Sequence, residues 1–306
     1  MFRLAHISDL HFFSSMNVPL TRLLGKRALG YANLYFHRRF QHDPRLIRLL
    51  MENLKEQKVD HIVVTGDLTN LSLGEEFGGI RELLLQSGFS PRDISVVPGN
   101  HDRYTKGAQS TLRFEAYLAP FMGSDIELWD HNFPYVRLRD GVAIVGINSA
   151  LSLPPFMAGG KVGVEQLTRL EVILEHPELK SRFIVFLIHH PPYRHPVKRL
   201  HFMEGLSDYR VFLKAIRGRP SLILHGHLHR NFQKKINHNG TELLTSCVSS
   251  SSYKLKGLDA GSISTFKLYD LDGNGVRSVR WFQYNSEKSS YEPDGTGEKD
   301  FSPLNI

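Results

Sequence analysis

The sequence predicts an α/β chain folded as a four-layer αββα sandwich, two mixed β-sheets packed face to face with helices outside. Three observations predict it. Short apolar, β-branched runs recur as far as His229, helical patterns lie between them, and beyond His229 strand patterns continue without helices.

The runs are FRLAHIS (2–8), VDHIVVT (59–65), DISVVP (93–98), VAIVGINS (142–149), FIVFLIH (183–189) and SLILHG (221–226). Each is apolar on successive rather than alternate residues, the pattern of a strand covered on both faces. DPRLIRLLMENLKEQK opens a helix with Asp43 as N-cap and Pro44 at the first helical position, and GEEFGGIRELLLQSG ends one at Gly88. Later, SISTFKLYDLDGNGVRSVRWFQYN reads as two alternating strands joined by a Gly/Asn/Asp turn. DLDGNG (270–275) also matches the start of a calcium loop, but the twelfth position, where a bidentate glutamate must stand, is Trp281. The hairpin turn is therefore the reading. One domain is expected over 1–284, with an insertion at about 14–42, and residues 285–306 are expected to be disordered or loosely laid on the surface.

No run of about 18 apolar residues occurs, and the N-terminus has no basic region followed by a long apolar one, so neither a membrane span nor a secretory signal is read. The expected location is the cytoplasm, with a peripheral position at the inner face of the membrane as an extension. The single cysteine, Cys247, excludes an intramolecular disulfide and reads as a buried small hydrophobe. A formal charge of +7 points to polyanionic partners: phosphate esters, nucleic acid or an anionic membrane.

Five strand ends share a chemistry. SDLHFF places Asp9 and His11 after the first strand, VVTGDLTN places Asp67 and Asn70, VVPGNHD places Asn100, His101 and Asp102, FLIHHPP places His189 and His190, and LILHGHLH places His225, His227 and His229. Taken singly, each has a plainer reading as a turn residue or a satisfied core histidine. Together they select carboxylate, amide oxygen and imidazole at sites where α/β folds assemble their chemistry. Those are ligands for Mn, Fe(II) or Zn, and a thiolate site is excluded.

The ordered set DLH, GDLTN, GNHD, HHPP and GHLH resembles the calcineurin-like metallophosphoesterase family, whose motifs run D-x-H, G-D, G-N-H-D/E, H and G-H-x-H. The resemblance spans residues 1 to about 250. It implies two divalent metal ions, manganese being the expected one, with Asp9, His11, Asp67 and His229 on one and Asp67, Asn100, His189 and His227 on the other. It further implies in-line attack of a metal-bridging hydroxide on phosphorus. His101 would stabilise the transition state or protonate the leaving oxygen, and Asp102 would hold an imidazole by accepting its other N–H. His190 is the neighbour of the ligand, and His225 has no family role.

The segment NVPLTRLLGKRALGYANLYFHRRFQH has no acid and carries Arg22, Lys26, Arg27, Arg38 and Arg39. On a helical wheel Leu20, Leu23, Leu24, Ala28, Tyr31, Leu34 and Tyr35 share one face, while Leu29, Phe36 and Phe40 fall on the polar side. Two readings stand: an ordinary helical excursion packed on the domain, or a cap that meets an anionic membrane surface or an acyl chain. Further bases follow the ligand motifs, and Arg27, Arg103 and Arg194 are the candidate substrate contacts.

The expected function is a metal-dependent phosphohydrolase cleaving a phosphodiester or pyrophosphate in a phosphorylated, anionic substrate, such as a nucleotide or a lipid-linked nucleotide-sugar. Within that class stand a cyclic-nucleotide phosphodiesterase, a UDP-diacylglucosamine-type pyrophosphatase at the membrane surface and, less favoured, a nuclease. The cyclic-nucleotide members usually lack so long an insertion, whereas the lipid A hydrolases carry Arg where His101 stands. Aromatic residues form no evident stacking platform for nucleic acid. A scaffold without activity has no reason to keep all seven ligand positions filled.

Overall fold

The computed structural model describes residues 1–13, 25–38, 41–127, 132–238, 240–254, 263–295 and 301–304. Thirteen strands occur among them: β1 (Phe2–Ile7), β2 (His61–Val64), β3 (Ile94–Val96), β4 (Tyr135–Arg139), β5 (Val142–Gly146), β6 (Phe183–Leu187), β7 (Ser221–His225), β8 (Phe232–His238), β9 (Thr241–Cys247), β10 (Thr265–Asp272), β11 (Gly275–Asn285), β12 (Ser290–Pro293) and β13 (Phe301–Leu304). One sheet runs β12-β11-β10-β1-β2-β3 and the other β13-β8-β9-β7-β6-β5-β4. β1, β2 and β3 are mutually parallel, as are β5, β6, β7 and β9, while hairpin partners pair antiparallel, so both sheets are mixed.

The successive apolar residues of the central strands divide between two layers of packing, as the period of two requires. Ile144, Val185, Leu187, Leu222 and Leu224 share a core with Leu4, Ile62, Phe266 and Leu268 of the other sheet. Their neighbours Ala143, Val145, Ile184, Phe186 and Ile223 pack with Leu167 and Leu170 of the helix Val164–Leu174 and with Phe212 and Leu213 of the helix Tyr209–Ala215. On the far side Ile47 and Leu50 of helix Pro44–Glu56 and Phe77 and Ile80 of helix Gly74–Leu85 complete the fourth layer. Asp43 caps the first of these helices, its Oδ1 accepting the Arg45 N–H at 3.0 Å. DLDGNG is a hairpin turn: Asp272 pairs with Gly275, and Asp272 Oδ1 accepts the Asn274 N–H at 2.8 Å.

A lysine lies wholly inside. Lys267 on β10 donates from Nζ to Phe232 O at 3.0 Å, Ser246 Oγ at 3.1 Å and Cys247 O at 2.6 Å, tying one sheet to β8 and β9 of the other. Burial lowers its ammonium to about 7, and Cys247, also buried, has its thiol raised to about 12 by the same cause.

Two expectations are corrected. Among the described residues after 284, 285–295 are built into the fold: β12 pairs with β11, and Tyr291 is buried, its hydroxyl 2.7 Å from Ser264 Oγ and 3.3 Å from Leu46 O. β13 pairs with β8 in the other sheet. An apolar residue count misses this, because the ordering comes from ladder hydrogen bonds and one aromatic anchor.

In the insertion, helix Lys26–Asn33 continues as a π-helical turn over Leu34–Arg38. Leu34 is buried with Leu71 and Leu73, Tyr31 and Tyr104 pack beside them, but Ala28 and Tyr35 face solvent with Leu29 and Phe36. A Cβ on Gly30 would come 2.5 Å from the Tyr104 hydroxyl, so a glycine lets this helix lie close. Leu20, Arg22, Leu23, Leu24, Arg39 and Phe40 lie outside the described residues. Among the described residues no helix is long and apolar enough to cross a membrane.

Tyr291→Ala is expected to lower stability by about 3 to 5 kcal/mol in urea unfolding, the usual cost of emptying a buried aromatic site. An unchanged midpoint would mean that this segment does not contribute to the fold.

Candidate metal centre

The C-terminal ends of β1, β2 and β3 in one sheet and of β6 and β7 in the other deliver their loops to a common place. Side chains from all five are brought together: the groups Asp9/His11/His229, Asp9/Asp67/His189, His11/Asp67/His101 and His189/His190/His227 each have candidate ligand atoms within 4.8 Å of one another.

The local backbone is unusual. Asp9, His11, Asp67, His227 and His229 have φ of 52°, 42°, 52°, 71° and 50°, making five of the eleven left-handed non-glycine residues among those described. Each costs on the order of 1 kcal/mol. The motif glycines allow close approach, and Gly66 is also left-handed, with φ of 99°. A Cβ on Gly66 would fall 2.6 Å from His189 Nδ1, one on Gly99 2.2 Å from Asp67 Oδ1, and one on Gly226 2.5 Å from Asp9 Oδ2. Any side chain there would displace a candidate ligand.

On one side of the centre His11 Nε2 lies 3.4 Å from His229 Nε2, which is 3.3 Å from Asp9 Oδ1. That carboxylate oxygen is buried and has no hydrogen bond. On the other side His189 Nε2 is 3.2 Å from Asn100 Oδ1, which is 3.1 Å from His227 Nδ1. Asp67 stands between, Oδ2 being 3.9 Å from His11 Nε2 and 3.5 Å from His189 Nε2. Facing lone pairs of this density suit a cation, and the nitrogen and oxygen donors fit a divalent one.

Hydrogen bonding decides between the adjacent histidines. His189 donates Nδ1–H to Thr65 O at 2.7 Å, which aims the Nε2 lone pair at Asp67 and Asn100. His190 uses both nitrogens, Nδ1 with Ser149 Oγ at 2.8 Å and Nε2 with Ala158 O at 2.9 Å, so its role is to hold two loops. His225, buried, bonds Gly226 O at 3.2 Å through Nδ1. Burial opposes charge on His189, but Asp67 and Asp9, with the Thr65 carbonyl, raise it to about 9. Burial, followed by His189, pushes His227 down to about 3. Burial likewise opposes charge on Asp67, yet His189, His101 and His11 hold its carboxyl well below the usual range.

His101 sits at the edge of the centre. Its main-chain N–H donates to Asp67 Oδ1 at 2.8 Å, its Nδ1 bonds Asn70 O at 2.7 Å, and its ring stacks on Tyr104 at 5.6 Å. Asp102 does not hold an imidazole as expected. It is buried and accepts the N–H groups of Leu68 at 3.1 Å, Thr69 at 2.9 Å and Gly99 at 2.9 Å, and the Thr69 hydroxyl at 2.9 Å, joining the loops after β2 and β3. A carboxylate three residues past a tight turn bonds the nearest amides, and these are already in reach.

Two candidate substrate contacts are also redirected. Arg103 is buried and paired with Glu115, an acid twelve residues away whose approach follows from helix Arg113–Leu118. Arg27 donates to Leu71 O at 3.1 Å and Ser72 O at 3.0 Å, so it fastens the insertion to the loop beside the site. Arg194 is exposed.

Other contributors escaped the sequence. His42 is buried with its ring 4.7 Å from that of His11, and Nδ1 lies 2.8 Å from Ser252 Oγ, though no strand precedes it. Ser249–Ser252 reads as a polar loop, yet all four are buried; Ser250 Oγ donates to Asp9 O at 2.7 Å and Ser249 Oγ to His229 O at 3.2 Å. Their signal was position: they directly follow a strand of the same sheet edge.

The family described as calcineurin-like phosphoesterase matches residues 2–231, and the chain belongs to it. Among solved structures it is similar to a dimetal phosphatase from Danio rerio, with TM-score 0.56, 13% identity, and coverage of 95% of this chain and 98% of that one. It is also similar to the purple acid phosphatase PPD1 from yellow lupin seeds, with TM-score 0.57 and 13% identity over 95% of this chain and 52% of that one. At these identities the likeness concerns the fold. No curated protein matches.

Because a cation entering at His189 competes with a proton, apparent metal affinity should weaken as pH falls from 8 to 6, by about tenfold per unit for each proton displaced. Calorimetric titration in buffers of different ionisation enthalpy reads the proton release directly, and a pH-independent affinity would contradict it. Gly99→Ala should abolish stoichiometric metal retention, measured by elemental analysis, while far-UV dichroism remains that of the parent.

Proposed function

We propose that the chain is a dinuclear metallophosphoesterase that hydrolyses a phosphodiester or pyrophosphate bond. The observation that carries the reading is Asp67, one carboxylate facing imidazoles of two separate ligand sets at 3.9 Å and 3.5 Å. Asp9, His11 and His229 would complete one set; Asn100, His189 and His227 would complete the other. Mn, Fe(II) and Zn all accept such donors, and manganese is the expected choice. Divalent cations held by these residues would supply Lewis acidity, lowering the pKa of a water and offsetting charge on the phosphate oxygens.

The chain's own residues prepare that chemistry. Thr65 O fixes the tautomer of His189, and Ser250 and Ser249 hold the carbonyls of Asp9 and His229 so that the strained loops keep their ligands in place. Asn70 O holds His101 Nδ1, so proton exchange at this ring runs through Nε2. In this reading His101, whose main-chain N–H is bonded to Asp67, gives a proton to the leaving oxygen.

What supports a diester or pyrophosphate is the charge of the segment that follows His189, on which Arg194, Lys198 and Arg199 are exposed. Such charge suits a substrate with an anionic group on the far side of the scissile phosphate.

A panel with Mn(II) tests the reading: a generic diester and monoester, cyclic nucleotides, single-stranded DNA and an acylated UDP-sugar. Diester or pyrophosphate turnover should lead, and a monoester cleaved about tenfold faster than every other member would overturn the bond assignment. His189→Ala should abolish all metal-dependent turnover. His101→Ala should keep its metal and lose about 10²-fold in kcat on a poor leaving group, with a much smaller loss on p-nitrophenolate. Loss of metal in that variant would make His101 a ligand instead.

A further inference from the structure

Three segments meet beside the metal centre and leave large apolar side chains in solvent. Lys26 Nζ, at the start of the insertion helix, donates to Leu153 O at 3.0 Å. The loop that contains Leu153 then donates from Ala158 N to Met203 O at 2.8 Å, in helix Lys198–Glu204, and Ala158 O accepts from His190 Nε2 at 2.9 Å. On these segments Phe156 is 83% exposed, Phe202 75%, Phe36 66% and Leu29 54%. Leu29 and Phe36 are seven residues apart, on the side of the insertion opposite buried Leu34.

Phe156 is the telling residue. It follows Pro155 in a turn closed by Met157 N–H to Pro154 O at 3.3 Å, and its φ is 66°. That is the third position of a type II turn, where glycine or asparagine is unstrained and a bulky side chain is not. A phenylalanine held there buries almost nothing and strains the backbone, so folding does not explain it.

Charge selects the occupant. Residues 25–36, 151–158 and 194–204 carry five Lys and Arg against one acid, Glu204; Lys26 and Arg27 are engaged by main-chain carbonyls, and Arg194, Lys198 and Arg199 are exposed. A second copy of the chain would oppose these bases with its own. An anionic bilayer offers both an apolar interior for the phenylalanines and phosphates for the bases.

We propose that this rim docks on an anionic lipid bilayer, with Phe156 and Phe202 as the inserting side chains and Leu29 and Phe36 extending the contact. The docking surface is separate from the ligands of the metal centre, and its test reads binding without turnover, so it stands or falls apart from the hydrolytic reading.

The full chain should co-sediment with phosphatidylcholine vesicles that contain phosphatidylglycerol, less with phosphatidylcholine alone, and less as salt rises. Phe156→Asn combined with Phe202→Ser should weaken that binding by about tenfold or more. Asparagine accepts the left-handed turn position, so metal content and thermal midpoint should hold, and F156N alone should not lower the midpoint. No binding to anionic vesicles at low salt would overturn the proposal. So would binding that the double variant leaves undiminished, or a concentration-dependent dimer of the parent that the double variant loses.

Discussion

The Asp102 carboxylate is the constraint on which the centre depends. It accepts three amides and a hydroxyl from the loops after β2 and β3, and through them sets Asp67, Asn100 and His101 relative to one another. Burial and then the Asp67 charge push its pKa up to about 7, while the amides pull the other way. The junction is thus electrostatically tense. A cation bound at Asp67 would offset the second of these influences.

The junction has an energetic setting. Five candidate ligand residues in left-handed backbone represent roughly 5 kcal/mol of local strain, at about 1 kcal/mol each, comparable with the lower end of a typical domain's whole stability. The two-sided packing of the sheets offsets it. Consecutive apolar residues from β5, β6 and β7 fill one core between the sheets and a second beneath the helices, so strand ends are rooted in close-packed layers before the loops begin. Lys267 adds a polar tie between those layers, reaching the carbonyls of Phe232 and Cys247 on either side of the β8–β9 hairpin.

The basic residues divide by the same logic of proximity. Arg27 and Arg103 find carbonyls and a carboxylate within the protein and become fasteners, whereas Arg194, Lys198 and Arg199 remain exposed on the segment that follows His189.

The central strands and helices and the order of the motifs were legible in the sequence, because covalent spacing carries them: apolar runs mark strands covered on both sides, Asp43–Pro44 marks a helix start, and polar residues at five strand ends mark loops that share an edge. The ligand candidates followed, since a strand fixes the residues just beyond it. What the tertiary structure alone decided is every pairing between distant segments. Asp102 turned to amides of the loop after β2, Arg103 to Glu115, His42 to His11 and Ser252, and Tyr291 to Ser264 and Leu46. The outward face of the insertion belongs with these, because a helical wheel shows which residues share a side but not which side finds a partner. Local pattern reports neighbours along the chain; which polar or apolar group lies within a few ångströms across space is set only when the layers pack.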